Sequence, residues 1–131
     1  MTEDNISYYP VSSRLSSLEV LRGKVISGVQ PSAEDMYKAF PDPDRLTLSI
    51  LRIKVTEAFD ECCTSAMDLF EFLLQGWRAT HMWGPGDDNT WRVNLTKYAK
   101  EPMYAGGQSD LFSRAMLIAV LNAHIKEVES K

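Results

Sequence analysis

Cysteine is scarce in this chain, and the two residues present form no recognisable disulfide or metal pattern. Cys62 and Cys63 are adjacent, and a bond between neighbouring cysteines would be strained and would close almost no loop. The two histidines, His81 and His124, are distant in sequence and have no Cys or His partner at metal-ligand spacing. We therefore expect two reduced thiols in a cytoplasmic protein, with no metal and no cofactor.

Long apolar runs and an excess of either charge are missing as well. No uninterrupted apolar stretch approaches the ~20 residues of a membrane helix, and the polar first residues do not predict a secretory signal. The 131 residues, 44% of them apolar, suffice for one domain with its own core. With 14 Lys and Arg against 18 Asp and Glu, the net charge is −4. This balance does not favour bulk nucleic-acid binding, and it is not acidic enough for a mimic of DNA.

Motifs that carry chemistry are also absent. Gly84-Pro85-Gly86 lies inside a predicted hairpin and not between a strand and a helix, where phosphate-binding loops occur. His81 with a carboxylate such as Asp87 could act in acid–base catalysis, but we favour a structural strand residue. Asp87 and Asp88 could offer oxygens to Ca²⁺, but their position beside Asn89 is typical of a turn. The sequence therefore predicts a protein that is not an enzyme.

The first forty residues read as two helices. A helix capped by Ser12 or Ser13 runs to about Val29, because apolar residues recur there at three and four positions. These residues are Leu18, Leu21, Val25 and Val29. A second, short helix follows, in which Ser32 and Asp35 have the spacing of a capping box.

Pro41-Asp42-Pro43-Asp44 is the strongest break in the chain, because each proline disfavours helix at the residue before it. We take it as the seam between an N-terminal helical arm, residues 1–44, and a body, residues 45–131. The arm is too short to fold alone, so we expect it to dock on the body.

Residues 45–56 have an ambiguous pattern. Apolar and polar residues alternate, but the parity changes between Ile50 and Leu51. A strand over 46–55 with a bulge at that point explains both halves and suits the β-branched residues. A helix from Asp44, with Leu46, Ile50 and Ile53 together, is the competing interpretation. We favour the strand.

The remainder predicts an α+β fold. An apolar helix over 65–76 precedes a β-hairpin over 77–98, whose turn is rich in Gly, Pro and Asp. An exit loop over 99–108 leads into a closing helix over 109–128. The small antiparallel sheet should pack on these two helices.

The tryptophans suggest how the hairpin pairs. Trp77 and Trp83 share one face of the first strand, and pairing Trp83 with Trp91 would bring all three indoles to one apolar face. A one-residue slip would instead place Trp91 beside Met82 and Arg78. We favour the first register, which leaves one polar face. That face would carry Arg78, Thr80, Met82, Arg92, Asn94 and Thr96.

Residues 60–128 resemble the phage ABA-sandwich domain, a family of small bacteriophage proteins. The resemblance is carried by the Ala-Met-Asp-Leu-Phe-Glu-Phe-Leu helix, Gly-Trp-Arg-Ala at the first strand, Thr-Trp-Arg-Val-Asn-Leu after the turn, and Ser113-Arg114-Ala115-Met116-Leu117-Ile118-Ala119. The family's common cysteine in the closing helix has no match here, and the N-terminal arm has no counterpart. The resemblance implies a viral or prophage origin and supplies no catalytic residues.

Two functions of different classes are compatible with these features. Given the resemblance, the first is a phage or prophage accessory protein in the bacterial cytoplasm that binds a host protein or defence complex, for example as an anti-CRISPR-like inhibitor. Contacts would come from the loops at 84–90, with Asp87 and Asp88, and at 99–108. Tyr98, Met103 and Tyr104 are the side chains of choice near the second loop.

The alternative function is binding of nucleic acid or a nucleotide. Arg78 and Arg92 would be neighbours on the polar sheet face, with Arg52 or Lys54 added if residues 45–56 pair alongside. The oligomeric state, monomer or homodimer, is open at this point. The closing helix has more apolar residues than one small sheet would cover, among them Leu117, Leu121 and Ile125.

Overall fold

The computed structural model describes residues 11–41 and 45–130. It consists of five helices and a three-stranded antiparallel sheet, which confirms the α+β class. In chain order the elements are α1 (Val11–Ile26), α2 (Ala33–Ala39), α3 (Arg45–Phe59), α4 (Cys63–Leu73), β1 (Trp77–Trp83), β2 (Trp91–Lys97), β3 (Met103–Ser109) and α5 (Phe112–Glu129). None of the described helices is long and apolar enough to cross a bilayer.

Helix α5 is the centre of the molecule. It packs against β2 and β3 on one side and against α1, α3 and α4 on the others, as expected for a helix that is apolar around most of its circumference. Its fully buried side chains are Ala115, Met116, Leu117, Ala119, Val120, Leu121 and Ala123. Because Leu117, Leu121 and Ile125 are buried within the chain itself, they offer no surface for the homodimer considered above.

The contact between α5 and β3 is made at Gly107. A Cβ atom there would overlap the Ala115 carbonyl oxygen and lie 2.5 Å from the Ala119 amide nitrogen. Glycine is required at this position for space and not for its backbone conformation. Two small helix residues and a glycine thus let the helix lie directly on the strand.

The N-terminal helices follow local sequence signals closely. The capping box of α2 is confirmed: the Asp35 amide donates to Ser32 Oγ at 3.1 Å, and the Ser32 amide donates to Asp35 Oδ2 at 2.8 Å. Lys24 Nζ also reaches Asp35 Oδ2, at 2.6 Å, and joins α1 to α2.

Helix α1 starts and ends earlier than predicted. It includes Ser12 and Ser13, so neither residue is its cap. Gly28, with φ of 76°, ends the helix in a Schellman motif, in which the Val29 amide donates to the Lys24 carbonyl at 2.8 Å. Leu18, Leu21 and Val25 are buried as predicted, whereas Val29 lies beyond the helix and is exposed.

The predicted strand at 46–55 is wrong, because these residues form helix α3. Leu51, Val55, Ala58 and Phe59 are buried at helical spacing. The competing helix is therefore correct in type, but its expected apolar face is not the buried one: Ile50 and Ile53 are exposed. The break at residues 42–44 lies outside the described residues, and the division into arm and body stays a prediction.

The third strand of the sheet is β3, within the region expected to be a loop. It pairs with β2 without interruption, from Trp91 opposite Ser109 to Lys97 opposite Met103. Gly106-Gly107 suggested a loop, but Gly107 is a strand residue selected by the approach of α5. The predicted helices at 65–76 and 109–128 are found, with bounds shifted by one to three residues.

A bulge in β1 separates the tryptophans that were expected together. The register of β1 with β2 shifts between Ala79 and His81, so that Trp83 lies opposite Arg92. Trp77 is buried, and its Nε1 donates to Glu127 Oε1 at 2.7 Å. Trp83 is on the other face of the sheet and is 43% exposed. The prediction of a single indole cluster is wrong because one extra residue in β1 reverses which face each later side chain occupies.

The Gly107 contact predicts opposite effects of the same substitution at two glycines. Gly107→Ala should lower the free energy of unfolding by about 1–3 kcal/mol, because the methyl group has to displace α5. Gly23→Ala should raise it by about 0.5–1 kcal/mol, because Gly23 is in α1 with nothing near its missing Cβ. Urea denaturation of the two variants and the parent measures both; equal stabilities would contradict the packing described here.

Candidate functional site

One face of the sheet carries none of the helices that the structure describes. Of these helices, α5 makes the extensive contact with the sheet, and it occupies the opposite face. Alternation along the three strands places polar and aromatic side chains on the uncovered side. We call this surface the open face; it carries Arg78, His81, Trp83, Arg92, Asn94, Tyr104 and Gln108.

A stack of Trp83 and Arg92 lies at one end of the open face. The guanidinium carbon of Arg92 is 5.0 Å from the indole centroid, and Arg92 Nη2 donates to Asp88 Oδ2 at 2.7 Å. The Thr90 amide donates to the other oxygen of Asp88 at 3.2 Å. His81 meets the indole edge-on at 5.9 Å between ring centroids. The turn between β1 and β2 therefore fixes the orientation of the arginine above the tryptophan.

A groove begins at this stack and runs to the β3 edge of the sheet. Its volume is about 840 Å³, which is in the range of small-molecule sites. The groove crosses the open face, and at the β3 edge it is lined by the end of α1 and the middle of α5. The lining residues are Ile26, His81, Trp83, Arg92, Asn94, Gly106, Gly107, Gln108, Ile118 and Asn122.

Asn122 holds together the elements that line the β3 end of the groove. Its Nδ2 donates to the Gly106 carbonyl at 2.6 Å, and its Oδ1 accepts from Arg22 Nη1 at 2.8 Å. One side chain of α5 thus joins the edge strand β3 to α1. Because both hydrogen bonds connect elements of the same core, the groove is built into the fold.

The two arginines predicted as neighbours are separated. Arg78 lies opposite Thr96, whereas Arg92 is four residues away on β2 and opposite Trp83. Arg52 and Lys54 are on α3, and Lys54 Nζ pairs with Asp68 Oδ2 at 2.8 Å. The predicted basic stripe is therefore not formed.

The other predicted contact residues are distributed over three environments. Tyr104 is on the open face and 64% exposed, and Tyr98 is exposed just after β2. Met103 is half-buried and packs against the core. Asp87 is exposed in the turn, whereas Asp88 belongs to the Trp83–Arg92 stack.

Sequence reasoning missed the residues that make the groove. Asn94 was placed correctly on the polar face, but Trp83 was assigned to the core. Gln108 was expected in a loop, and Asn122 received no role. Only the alternation of β2 carried a usable signal, because the pairing of β3 and the bulge of β1 depend on contacts distant in sequence.

The arrangement is suited to binding. Planar, polar and aromatic groups line the groove, and the carboxylate of Asp88 is engaged by the lining residue Arg92. Within the described ranges, no three His, Cys, Asp or Glu side chains are grouped so that they could hold a metal ion. Cys62 and Cys63, at the start of α4, are free thiols and are not among the residues that line the groove.

Comparison with protein-family models, curated proteins and solved structures finds no match for this chain.

The contact between Arg92 and Asp88 predicts a titration effect. The hydrogen bond and charge of Arg92 hold the pKa of Asp88 below its ordinary value of 3.8. Because the pKa is lowered by folding, the stabilisation from this pair is present above the unfolded pKa and is lost as the pH falls through the folded one. In Arg92→Gln we expect the carboxyl midpoint of Asp88, followed by NMR, to rise toward 3.8.

The matched control for this titration is Arg78→Gln. It removes the same charge from the same face but lies opposite Thr96, so the Asp88 midpoint should stay at the parent value. An identical midpoint in the parent and Arg92→Gln would contradict the assigned cause.

Proposed function

We propose that this protein is a non-catalytic binding module whose open face docks on a protein partner. The observation that carries the proposal is the exposed Trp83 stacked on Arg92 in a sheet face that no described helix covers. Trp, Tyr and Arg are the residues most enriched at the energetic centres of protein interfaces. Here Trp83, Arg92 and Tyr104 stand on one face.

Rigidity of the open face supports the same conclusion. Its side chains project from paired strands, and the Trp83–Arg92 stack is held by Asp88 and the turn. Docking therefore requires little ordering of the free protein, and binding energy is not spent on fixing loops.

The charge of the open face favours a protein over a polyanion. Phosphate backbones are bound chiefly by several cationic side chains together, but Arg92 is paired with Asp88 and Arg78 is at the other end of the face. The net charge of −4 adds repulsion.

The class of partner is proposed from the sequence resemblance. Residues 60–128 resemble the phage ABA-sandwich domain, so we propose a bacterial host protein or defence complex, blocked by occlusion as an anti-CRISPR-like inhibitor would block it. Occlusion requires a surface of fixed shape and no catalytic group, which is what the open face offers.

Binding to a second candidate, nucleic acid, is favoured by one specific observation. The exposed rings of Trp83 and Tyr104 lie on the same sheet face, and exposed aromatic rings on sheets stack with bases. This function would show as oligonucleotide retention at low salt that is lost in Arg78→Ala/Arg92→Ala.

The docking proposal predicts a partner whose capture depends on Trp83. Tagged parent protein, Trp83→Ala and Phe72→Ala are used to capture proteins from nuclease-treated bacterial lysate, with quantitation by mass spectrometry. Phe72 is an exposed aromatic residue on α4, off the open face, and serves as the matched control. The affinity for the purified partner should fall about 30-fold in Trp83→Ala, as for a hot-spot residue worth ~2 kcal/mol.

The parent and Phe72→Ala should bind the partner equally. A partner that binds Trp83→Ala, and a further Arg92→Ala variant, as tightly as it binds the parent would place the interface elsewhere and overturn the proposal. Capture that is seen in a parallel untreated lysate but lost in the nuclease-treated one would favour the nucleic-acid function instead.

A further inference from the structure

We infer that the groove beside the Trp83–Arg92 stack is a binding site for an uncharged planar heterocycle of the nucleobase type. The ligand would enter as a free base or nucleoside, or as one base of a single strand. This site goes beyond protein docking and does not depend on it. It also differs from phosphate binding by a basic face, because it recognises the ring and not the charge.

The stacking surface is the first requirement of such a site. An indole and a guanidinium are both planar groups on which bases stack in proteins, and both line the groove. Trp83 is partly exposed although a tryptophan gains much by burial. Its ring is kept in place by Arg92 and by the edge contact of His81.

The hydrogen-bonding edge is supplied by two carboxamides. Asn94 on β2 and Gln108 on β3 are exposed side chains in the groove wall. Each offers a donor and an acceptor from one planar group, which is the complement of a base edge. Neither carboxamide has a hydrogen-bond partner among the described residues, so both retain their full capacity for a ligand.

The space between these groups depends on the absence of a side chain at Gly106. A Cβ atom there would lie 3.1 Å from Asn94 Oδ1 and 3.4 Å from the Val93 carbonyl oxygen. The backbone at Gly106 does not require glycine, since its φ is not in the left-handed region. The missing side chain therefore leaves the floor of the groove open beside the Asn94 carboxamide.

The charge balance of the groove determines which ligand it prefers. The guanidinium that lines it is ion-paired with Asp88, 2.7 Å away, so a phosphate group would gain little there. Ile26 and Ile118, on α1 and α5, add apolar side chains to the lining. An uncharged ring with hydrogen-bond donors and acceptors on one edge suits both the carboxamides and the apolar side chains.

The test is an NMR titration of the full chain with adenosine, guanosine, cytidine and uridine. The signals followed are the side-chain amides of Asn94 and Gln108 and the indole N–H of Trp83. At least one nucleoside should shift all three saturably. Its 5′-monophosphate should bind within about twofold of the same affinity, because no cation in the groove is left for the phosphate.

Variants distinguish specific binding in the groove from non-specific binding of aromatic compounds. Trp83→Ala should weaken binding at least about fivefold, the lower range for loss of a stacking ring. Gly106→Ala should weaken binding because the added methyl group narrows the groove. Asn94→Ala should weaken binding because the hydrogen bonds of the carboxamide are lost. Phe72→Ala should bind as the parent does. Unfolding midpoints confirm that each variant is folded.

A short single-stranded homopolymer of the preferred base distinguishes the two sources of the ring. A strand that binds more than about tenfold tighter than the nucleoside assigns the site to nucleic acid, and equal affinity assigns it to the free compound. The inference is overturned if no nucleoside shifts the three signals at roughly 10 mM. It is also overturned if N-acetyltyrosinamide binds as well as any nucleoside, or if Gly106→Ala and Asn94→Ala leave affinity unchanged. None of these outcomes affects the capture experiment, whose readout is a protein partner.

Discussion

Helix α5 lies directly on the backbone of β3, with Gly107 facing Ala115 and Ala119, and the remaining architecture follows from that contact. At this distance the helix covers β2 and β3 with one side and leaves its other sides for α1, α3 and α4. These helices bury their apolar residues chiefly on α5. A single core thus forms on one side of the strands, and the opposite face is left without a described layer.

The bulge in β1 decides what that uncovered face presents. A regular strand would have placed Trp83 on the same side as Trp77, in the core. One extra residue after Ala79 turns Trp83 outward and Met82 toward the side of Val93. Burial of a tryptophan is worth several times the ~1 kcal/mol of an exposed contact with a cation. The fold therefore gives up stability to expose this ring, which is typical of residues that act in binding.

Local signals in the sequence were sufficient for the elements whose stability is local. The Ser32–Asp35 capping box and the hairpin at 77–98 were predicted because their hydrogen bonds and turns involve residues close in sequence. Helix α3 was misread because apolar and polar residues alternate along 46–55 in two short runs, as they would in a strand. Strand β3 was misread because the reason for its glycine is a helix that begins only later in the chain.

For the candidate site, too, features set by neighbouring residues could be predicted, whereas features set by contacts distant in sequence could not. The positions of Arg92 and Asn94 on one face could be predicted from the regular alternation of β2. The exposure of Trp83 and the part played by Gln108 could not. The first depends on the bulge in β1 and the second on the pairing of β3 with β2, and a single inserted residue is enough to reverse the face of the side chains that follow. The separation of Arg78 from Arg92 follows from the favoured register itself, because pairing Trp83 with Trp91 already places Arg78 opposite Thr96.

The two proposed binding events share the Trp83–Arg92 stack, so they cannot be independent. A partner docked over Trp83 covers the mouth of the groove, and a ring bound in the groove occupies the indole that the partner would contact. Linkage requires that each changes the affinity for the other by the same factor. Whether each binding event strengthens or weakens the other depends on whether the partner contacts the bound ligand or has to displace it. Because Asn122 of α5 ties the β3 edge to α1, the groove cannot widen to accommodate both, and displacement is the outcome that the geometry favours.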